Sequence, residues 1–401
     1  MAEPHRIVVV GTGLAGASAA GSLRERGFAG DIALIGRDRH RPYELPALSK
    51  AVLLGEADEP DWVHEADFYD GIDLVTATSV TELDLGGRAV VDETGARHPY
   101  DRLVLATGST PRTLPVPGAD LDGLHTLRTL DDSLALRAAF GDGVRVVVVG
   151  AGWIGCEVAA AARGHGSRVT VIEPEPLPLH RTLGPVVGEV FRDLHAEHGV
   201  TWRLGTGVTE FVGTDRVTGV RLADGSTVDA DVVVVGVGAT PNTALAEAAG
   251  LELADTGGVA VDASLRTSAP DVYAIGDIAA HFHPRHGTRV RVEHWANAKD
   301  QGATVAASLL GEAEPYTANP YFFSDQYDLG LEVRGLFDPL TDDLVVRGDL
   351  AERSFIAFWL RAGRVRGALN VNQWDDGDAL QALVDRQAEV DEGTLRSGEL
   401  G

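Results

Sequence analysis

Apolar residues along this chain come in short continuous runs, each followed by a glycine turn and a stretch of small residues. The pattern opens with RIVVV (6–10), continues as GTGLAG (11–16) and ASAAGSLRERG, and returns to an apolar run in DIALIG (31–36). A continuous apolar run of this length predicts a strand covered on both faces. The order strand, glycine turn, helix, strand predicts a βαβ unit with parallel strands. The same unit recurs from residue 145 as RVVVV, GAGWIG (150–155), CEVAAAARGHG and RVTVIE (168–173). That is an internal duplication at domain scale.

Between the two units, DRLVLAT (101–107) predicts a further buried strand closing at Gly108, and the proline-punctuated stretch 111–117 predicts a hinge. DADVVVVGVG predicts the matching strand of the second unit, ending at Gly236, Val237 and Gly238. DVYAIGDIA predicts another strand, ending at Gly276 and Asp277. From about Tyr321 the texture changes to the strand-like runs LVVRGDL, SFIAFWLRAG and RVRGALNVN, closed by an acidic helix in DALQALVDRQAEV. The chain therefore reads as α/β, with two Rossmann-like dinucleotide-binding domains and a C-terminal α+β domain. The first of these (1–112 and 240–320) is split around the second (113–239), and the α+β domain covers 321–401.

With 401 residues, more than one core is expected. Its net charge of −26 argues against nucleic acid and anionic lipid as partners, since both need a basic face. No run of about 18 or more uncharged apolar residues predicts a membrane helix, and the N-terminus lacks the pattern of a signal peptide. The single cysteine, Cys156, excludes a disulfide framework and fits a reducing cytoplasm. Of the 34 basic residues only Lys50 and Lys299 are lysines, which singles both out.

The glycines carry the first chemistry. Gly11, Gly13 and Gly16 fall where a tight turn, a close approach of backbone to pyrophosphate and a close helix–strand packing each need the absence of a side chain. Leu14 and Ala15 then open a helix whose N–H groups face the phosphates. Gly150, Gly152 and Gly155 repeat the arrangement, with Trp153 and Ile154 opening the second helix. Glu173 ends the second strand of that unit, where a carboxylate bonds the adenosine ribose and repels a 2′-phosphate, favouring NADH over NADPH. His180 and Arg181 nearby leave some room for a phosphate. In the first unit the strand ends at Gly36, and Asp38 is the nearest carboxylate for a ribose. Two such turns call for two dinucleotides, as in an enzyme that passes hydride from a nicotinamide to a flavin.

RPYELPALSKAVL (41–53), LVLATGS (103–109), the second glycine turn, YAIGDIA (273–279), EHWANAKDQG (293–302) and SDQYDLGLEVRG (324–335) together resemble the FAD- and NAD-linked ferredoxin reductases that serve cytochrome P450 and Rieske-oxygenase systems. The resemblance covers nearly the whole chain, and its last two segments discriminate that family from other two-dinucleotide flavoproteins. It implies that FAD lies against Ala106, Thr107, Gly108, Gly276 and Asp277, with Glu293, His294 and Trp295 beside the ring. Asp277 would bind the ribityl chain or pyrophosphate; read from the residues alone it is also a helix N-cap. The resemblance further implies that Lys50 lies near flavin N5, paired with Glu157, with Pro46 packed nearby. A cation there favours the reduced, anionic flavin. Leu45 stands where some members carry an arginine.

The implied reaction is hydride transfer from NADH to FAD, followed by single-electron steps to an iron–sulfur ferredoxin. It needs no protein acid or base. Two other functions remain open on the sequence: a stand-alone NADH oxidase or quinone reductase, and an NADH-sensing flavoprotein like apoptosis-inducing factor. Disulfide and peroxide reductases need reactive cysteines, and Cys156 inside a helix is expected to be a small buried residue. His281, His283 and His286 in HFHPRH are expected to be a polar loop with no metal. An acidic reductase meeting an acidic ferredoxin needs a local basic patch, for which Arg289 and Arg291 are candidates. The oligomeric state stays open, with a monomer as the starting expectation.

Overall fold

The computed structural model describes residues 4–312 and 314–398. They form two compact units: 4–45, 60–110, 239–312 and 314–318 in the first, and 46–59, 111–238 and 319–398 in the second.

The first unit is built on a five-stranded parallel sheet in the order Val272–Ala274, Arg102–Leu105, Arg6–Val10, Asp31–Ile35, Asp73–Val75. Its three inner strands carry the uninterrupted apolar runs, and Ile7, Val8, Val9, Ala33, Leu34, Leu103 and Val104 are fully buried. Helix Leu14–Glu25 packs its alanines on helix Trp295–Leu309. Gly302 makes that approach possible, since a Cβ there would sit 2.6 Å from Ser18 and 2.9 Å from the backbone of Ala15 and Ala19.

The second unit repeats the architecture with the parallel order Thr201–Leu204, Arg168–Glu173, Arg145–Val149, Val232–Val235, Leu124–His125. Helix Trp153–Gly164 follows its glycine turn. To this unit belongs a five-stranded antiparallel sheet in the order Tyr321–Gln326, Leu329–Gly335, Arg364–Val371, Ser354–Arg361, Asp343–Asp349, with helices Gly377–Arg386 and Glu392–Ser397 after it. Phe355, Trp359, Leu329 and Leu331 of the antiparallel sheet share one core with Val146, Val148, Cys156 and Phe191. The C-terminal segment thus completes the second nucleotide unit's core.

Chain order would leave 46–59 with the first sheet. Hydrogen bonds instead tie it into the second unit: Ser133 Oγ donates to the Leu48 carbonyl at 2.7 Å, Arg137 to the Ala57 carbonyl at 3.0 Å, and the His165 ring lies 2.7 Å from the Leu53 carbonyl. The histidine segment is only in part a polar loop: His286 lies in the turn over 284–287, but the first two histidines do not. His281 and His283 sit on strand Ala279–His283, buried to 1% and 0%, while Phe282 between them is 42% exposed. The period of two, hidden by three polar-looking letters, decides this.

Candidate functional site

In the first unit the three glycines of the turn have three different reasons to be glycine. Gly11 has φ +123°, and a Cβ there would lie 2.1 Å from the Ala106 carbonyl oxygen. A Cβ on Gly16 would lie 2.1 Å from the Gly11 carbonyl. A Cβ on Gly13 would meet no protein atom within 4 Å, yet the residue caps helix Leu14–Glu25. The protein itself does not need glycine there. The position is open, and backbone N–H groups at a helix start suit an anion. The second unit repeats this: Gly150 would meet Gly236 at 2.4 Å, Gly155 would meet Gly150 at 2.0 Å, and Gly152 meets nothing within 4 Å. Two cradles of this kind fit the pyrophosphates of two dinucleotides. Ile154, 43% exposed at the second helix start, is an apolar surface suited to cover by such a ligand. Its neighbour Trp153 stacks on Phe322, with ring centroids 4.4 Å apart.

Beside the first cradle, Ala106, Thr107 and Gly108 leave strand Arg102–Leu105. Asn242 fixes this exit: its amide donates to the Thr107 carbonyl at 2.7 Å, its N–H donates to the Gly108 carbonyl at 2.9 Å, and its carbonyl accepts from Thr107 Oγ1 at 2.9 Å. Gly276 and Asp277 form a 3-10 turn after strand Val272–Ala274. Asp277 lies inside that turn and does not cap a longer helix; its Oδ2 accepts from Ser109 Oγ at 2.7 Å. Gln301 Oε1 accepts from the Gly276 N–H at 2.8 Å. Gly276 has φ +73°, and a Cβ there would touch Ala15 at 3.0 Å.

Asp38 accepts from the His40 N–H at 2.9 Å and from Tyr43 OH at 2.7 Å. The glycine at position 36 has a steric cause, since a Cβ would lie 2.3 Å from Thr12 Oγ1. Trp295 opens helix Trp295–Leu309, capped by His294, whose Nδ1 accepts from Ala296 N–H at 3.3 Å. The indole Nε1 donates to Glu44 Oε2 at 2.9 Å, and Lys299 Nζ stands 4.8 Å from the ring centroid. Glu293 pairs with Arg291.

In the second unit, Glu173 Oε2 accepts from the Ala151 N–H at 2.6 Å and Oε1 from the Glu175 N–H at 2.9 Å. The carboxylate is thereby held against the glycine turn. Glu175 in turn binds Arg181 through Nε at 2.6 Å, so that guanidinium already has an anionic partner, and its carboxylate stands 3.4 Å from His180 Nδ1. Gly238 (φ +95°) ends the strand of Val232–Val235 with open space around it. Lys50 Nζ donates to Glu157 Oε1 at 2.8 Å, and Ser324 Oγ donates to the same oxygen at 2.6 Å. Ser49 Oγ donates to Oε2. Glu157 is 3% exposed, so its charge is compensated by an ammonium and two hydroxyls. Pro46 begins the short 3-10 turn Pro46–Ser49 just before Lys50.

Sequence reading misses Asn242, Ser109, Gln301, Glu44, Ser49 and Ser324. All but Asn242 are visible there only as common polar residues inside a motif noted for another member, and Asn242 lies in no motif at all. Arg289 and Arg291 do not form a free basic patch. Arg289 Nη1 donates to the carbonyls of Val261 (2.5 Å) and Ala280 (3.3 Å), and Arg291 Nη1 to that of Asp277 (3.2 Å). Cys156 is fully buried, and burial pushes its thiol far above the usual range. Among the described residues no group of three His, Cys, Asp or Glu can hold a metal ion.

Residues 5–302 match the family model "Pyridine nucleotide-disulphide oxidoreductase", and 321–399 match "Reductase C-terminal". The chain belongs to the pyridine nucleotide-disulphide oxidoreductase family, among its ferredoxin reductases. Rhodocoxin reductase of Rhodococcus erythropolis is 40% identical over 384 residues, which cover 94% of this chain and 89% of that protein. The crystal structure of the ferredoxin reductase for the CYP199A2 system from Rhodopseudomonas palustris is similar over 99% of this chain and 98% of its own, with a TM-score of 0.93 and 40% identity. The reductase in the covalent putidaredoxin reductase–putidaredoxin complex is similar over 99% of this chain and 96% of its own, with a TM-score of 0.94 and 36% identity.

Proposed function

We propose that this protein is an NADH-dependent ferredoxin reductase, passing electrons from NADH through FAD to an iron–sulfur ferredoxin that feeds a cytochrome P450 or Rieske oxygenase. The observation that carries the reading is the pair of glycine cradles, each with a second glycine that stands in open space at a helix start, in a chain whose residues 321–399 match a reductase C-terminal segment. Bound FAD supplies the exchange of one two-electron step for two one-electron steps.

The chain's own residues bind and orient. Gly13 and the start of helix Leu14–Glu25 receive the FAD pyrophosphate, and Asp277, braced by Ser109, takes the flavin's polar chain. Gly152 receives the pyrophosphate of NADH, and Glu173 its ribose. Glu157 keeps the Lys50 ammonium compensated and in place. No side chain serves as nucleophile, and the inert thiol of Cys156 fits that reading. A chain with one buried cysteine suits work in the cytoplasm.

The test is NADH-driven reduction of cytochrome c with and without an added iron–sulfur ferredoxin. The proposal expects a rate that rises and saturates with ferredoxin. A rate independent of it turns the reading toward a stand-alone NADH oxidase.

A further inference from the structure

The loop that follows strand Asp31–Ile35 is folded around an aromatic pair within the first unit. Asp38 accepts from the His40 N–H and from Tyr43 OH. The Tyr43 ring meets Trp62 edge-on, with centroids 6.2 Å apart and planes at 84°. The main chain holds the two segments side by side: the Glu44 N–H donates to the Asp61 carbonyl at 2.8 Å, and the Val63 N–H to the Pro42 carbonyl at 3.1 Å. Over Trp62 lies Arg41, its guanidinium carbon 4.3 Å from the ring centroid. Acidic partners are abundant in a chain with 60 Asp and Glu against 34 Lys and Arg. Yet among the described residues no carboxylate or carbonyl accepts from this guanidinium, and the indole alone holds it.

The loop starts at the first glycine cradle. A Cβ on Gly36 would lie 2.3 Å from Thr12 Oγ1 in the glycine turn, and Asp38 follows two residues on, its carbonyl accepting from the Ala77 N–H at 2.8 Å. In a βαβ nucleotide site the carboxylate just past the second strand faces the adenosine ribose. The base is joined to that ribose on the side away from the pyrophosphate, so it comes to rest beyond Asp38. Arg41 stands one aromatic pair from that carboxylate. A guanidinium with an indole under one face has its plane fixed, and its other face and its N–H edge suit a flat, electron-rich ring with acceptor nitrogens. We infer that Arg41, seated on Trp62, recognises the adenine of FAD. The inference rests on the proposal that the first cradle takes FAD. It adds a reason for this site to select the dinucleotide over FMN, which carries no adenine.

The experiment is titration of the flavin-free full-length chain with FAD and with FMN, read by quenching of flavin fluorescence, in the wild type, R41A and R41K. ADP is added as a competitor for FAD uptake. R41A is expected to weaken FAD about three- to thirtyfold, as for loss of one cation–π contact, to weaken ADP competition by a similar factor, and to leave FMN unchanged. R41K keeps the charge without the planar fork and is expected to stay close to R41A. An R41A that binds FAD as the wild type does, or that loses FAD and FMN equally, overturns the role of Arg41 and leaves the FAD site standing. Full recovery in R41K overturns it as well, because charge alone would then suffice. Should FMN bind too weakly to measure, the competition decides, and ADP competing equally well in R41A overturns the inference. A wild type that takes up no FAD overturns the proposed site itself, which is a separate failure.

Discussion

Ser109 Oγ donates to Asp277 Oδ2 at 2.7 Å, and both side chains are buried, to 2% and 9%. The hydroxyl comes from the end of the LVLATGS motif and the carboxylate from YAIGDIA, so one hydrogen bond locks together two strand exits of the first sheet. S109A removes a neutral donor from a buried carboxylate, which costs about 1–3 kcal/mol. Denaturant unfolding should register that loss, and flavin content after gel filtration should fall with it. Full flavin retention at unchanged stability would mean that the hydroxyl does not brace Asp277.

The glycine turns predict a dissociation between folding and binding. G13V meets no protein atom near its Cβ, so the chain should fold and the flavin should be lost. G16A drives its methyl to 2.1 Å from the Gly11 carbonyl and should destabilise the first unit itself. Circular dichroism and flavin absorbance on the two variants check this. In the second unit, G152V should leave flavin bound and abolish its reduction by NADH.

Coenzyme choice should follow the two carboxylates of the second unit. Glu173 is pinned to the glycine turn, and Glu175 occupies Arg181. E173Q removes the repulsion of a 2′-phosphate, and E175Q releases the guanidinium to receive one. The double variant should raise the ratio of kcat/KM for NADPH over NADH at least about tenfold, the effect of roughly one charge-assisted contact. Steady-state kinetics with both coenzymes measures it.

Acid should destabilise the protein through two buried histidines. Burial lowers both His195 and His281 from 6.5 to about 4. In the unfolded chain these rings take up protons near pH 6.5, and in the folded one only near pH 4. Their contribution to stability is therefore complete above pH 6.5 and is lost as pH falls from there to 4. Each accounts for up to about 3 kcal/mol over that window. Unfolding free energy measured from pH 7 to 4.5 should fall, and H195N should flatten part of the slope.

Most of the frame is legible because parallel strands covered on both faces announce themselves as unbroken runs such as RVVVV, and because Gly11 and Gly150 sit where the backbone turns at positive φ. The pairing of Lys50 with Glu157 comes only from family resemblance, since 107 positions separate them. The polar braces escape because Ser109, Asn242, Gln301 and Ser324 carry no pattern of their own; a serine in a motif looks the same whether it faces water or a buried carboxylate. The histidines of HFHPRH mislead because their polarity outweighs their alternation. Arg289 and Arg291 mislead because a guanidinium that satisfies buried carbonyls has the same letter as one that faces a partner.

Anaerobic titration of the flavin-loaded protein with NADH, followed by its visible spectrum, tests the central claim most directly. Bleaching of the flavin bands complete near one NADH per flavin, with the colour returning on addition of oxidised ferredoxin, is the predicted result. A flavin that NADH leaves oxidised, or a reduced flavin that ferredoxin cannot reoxidise, would contradict the account.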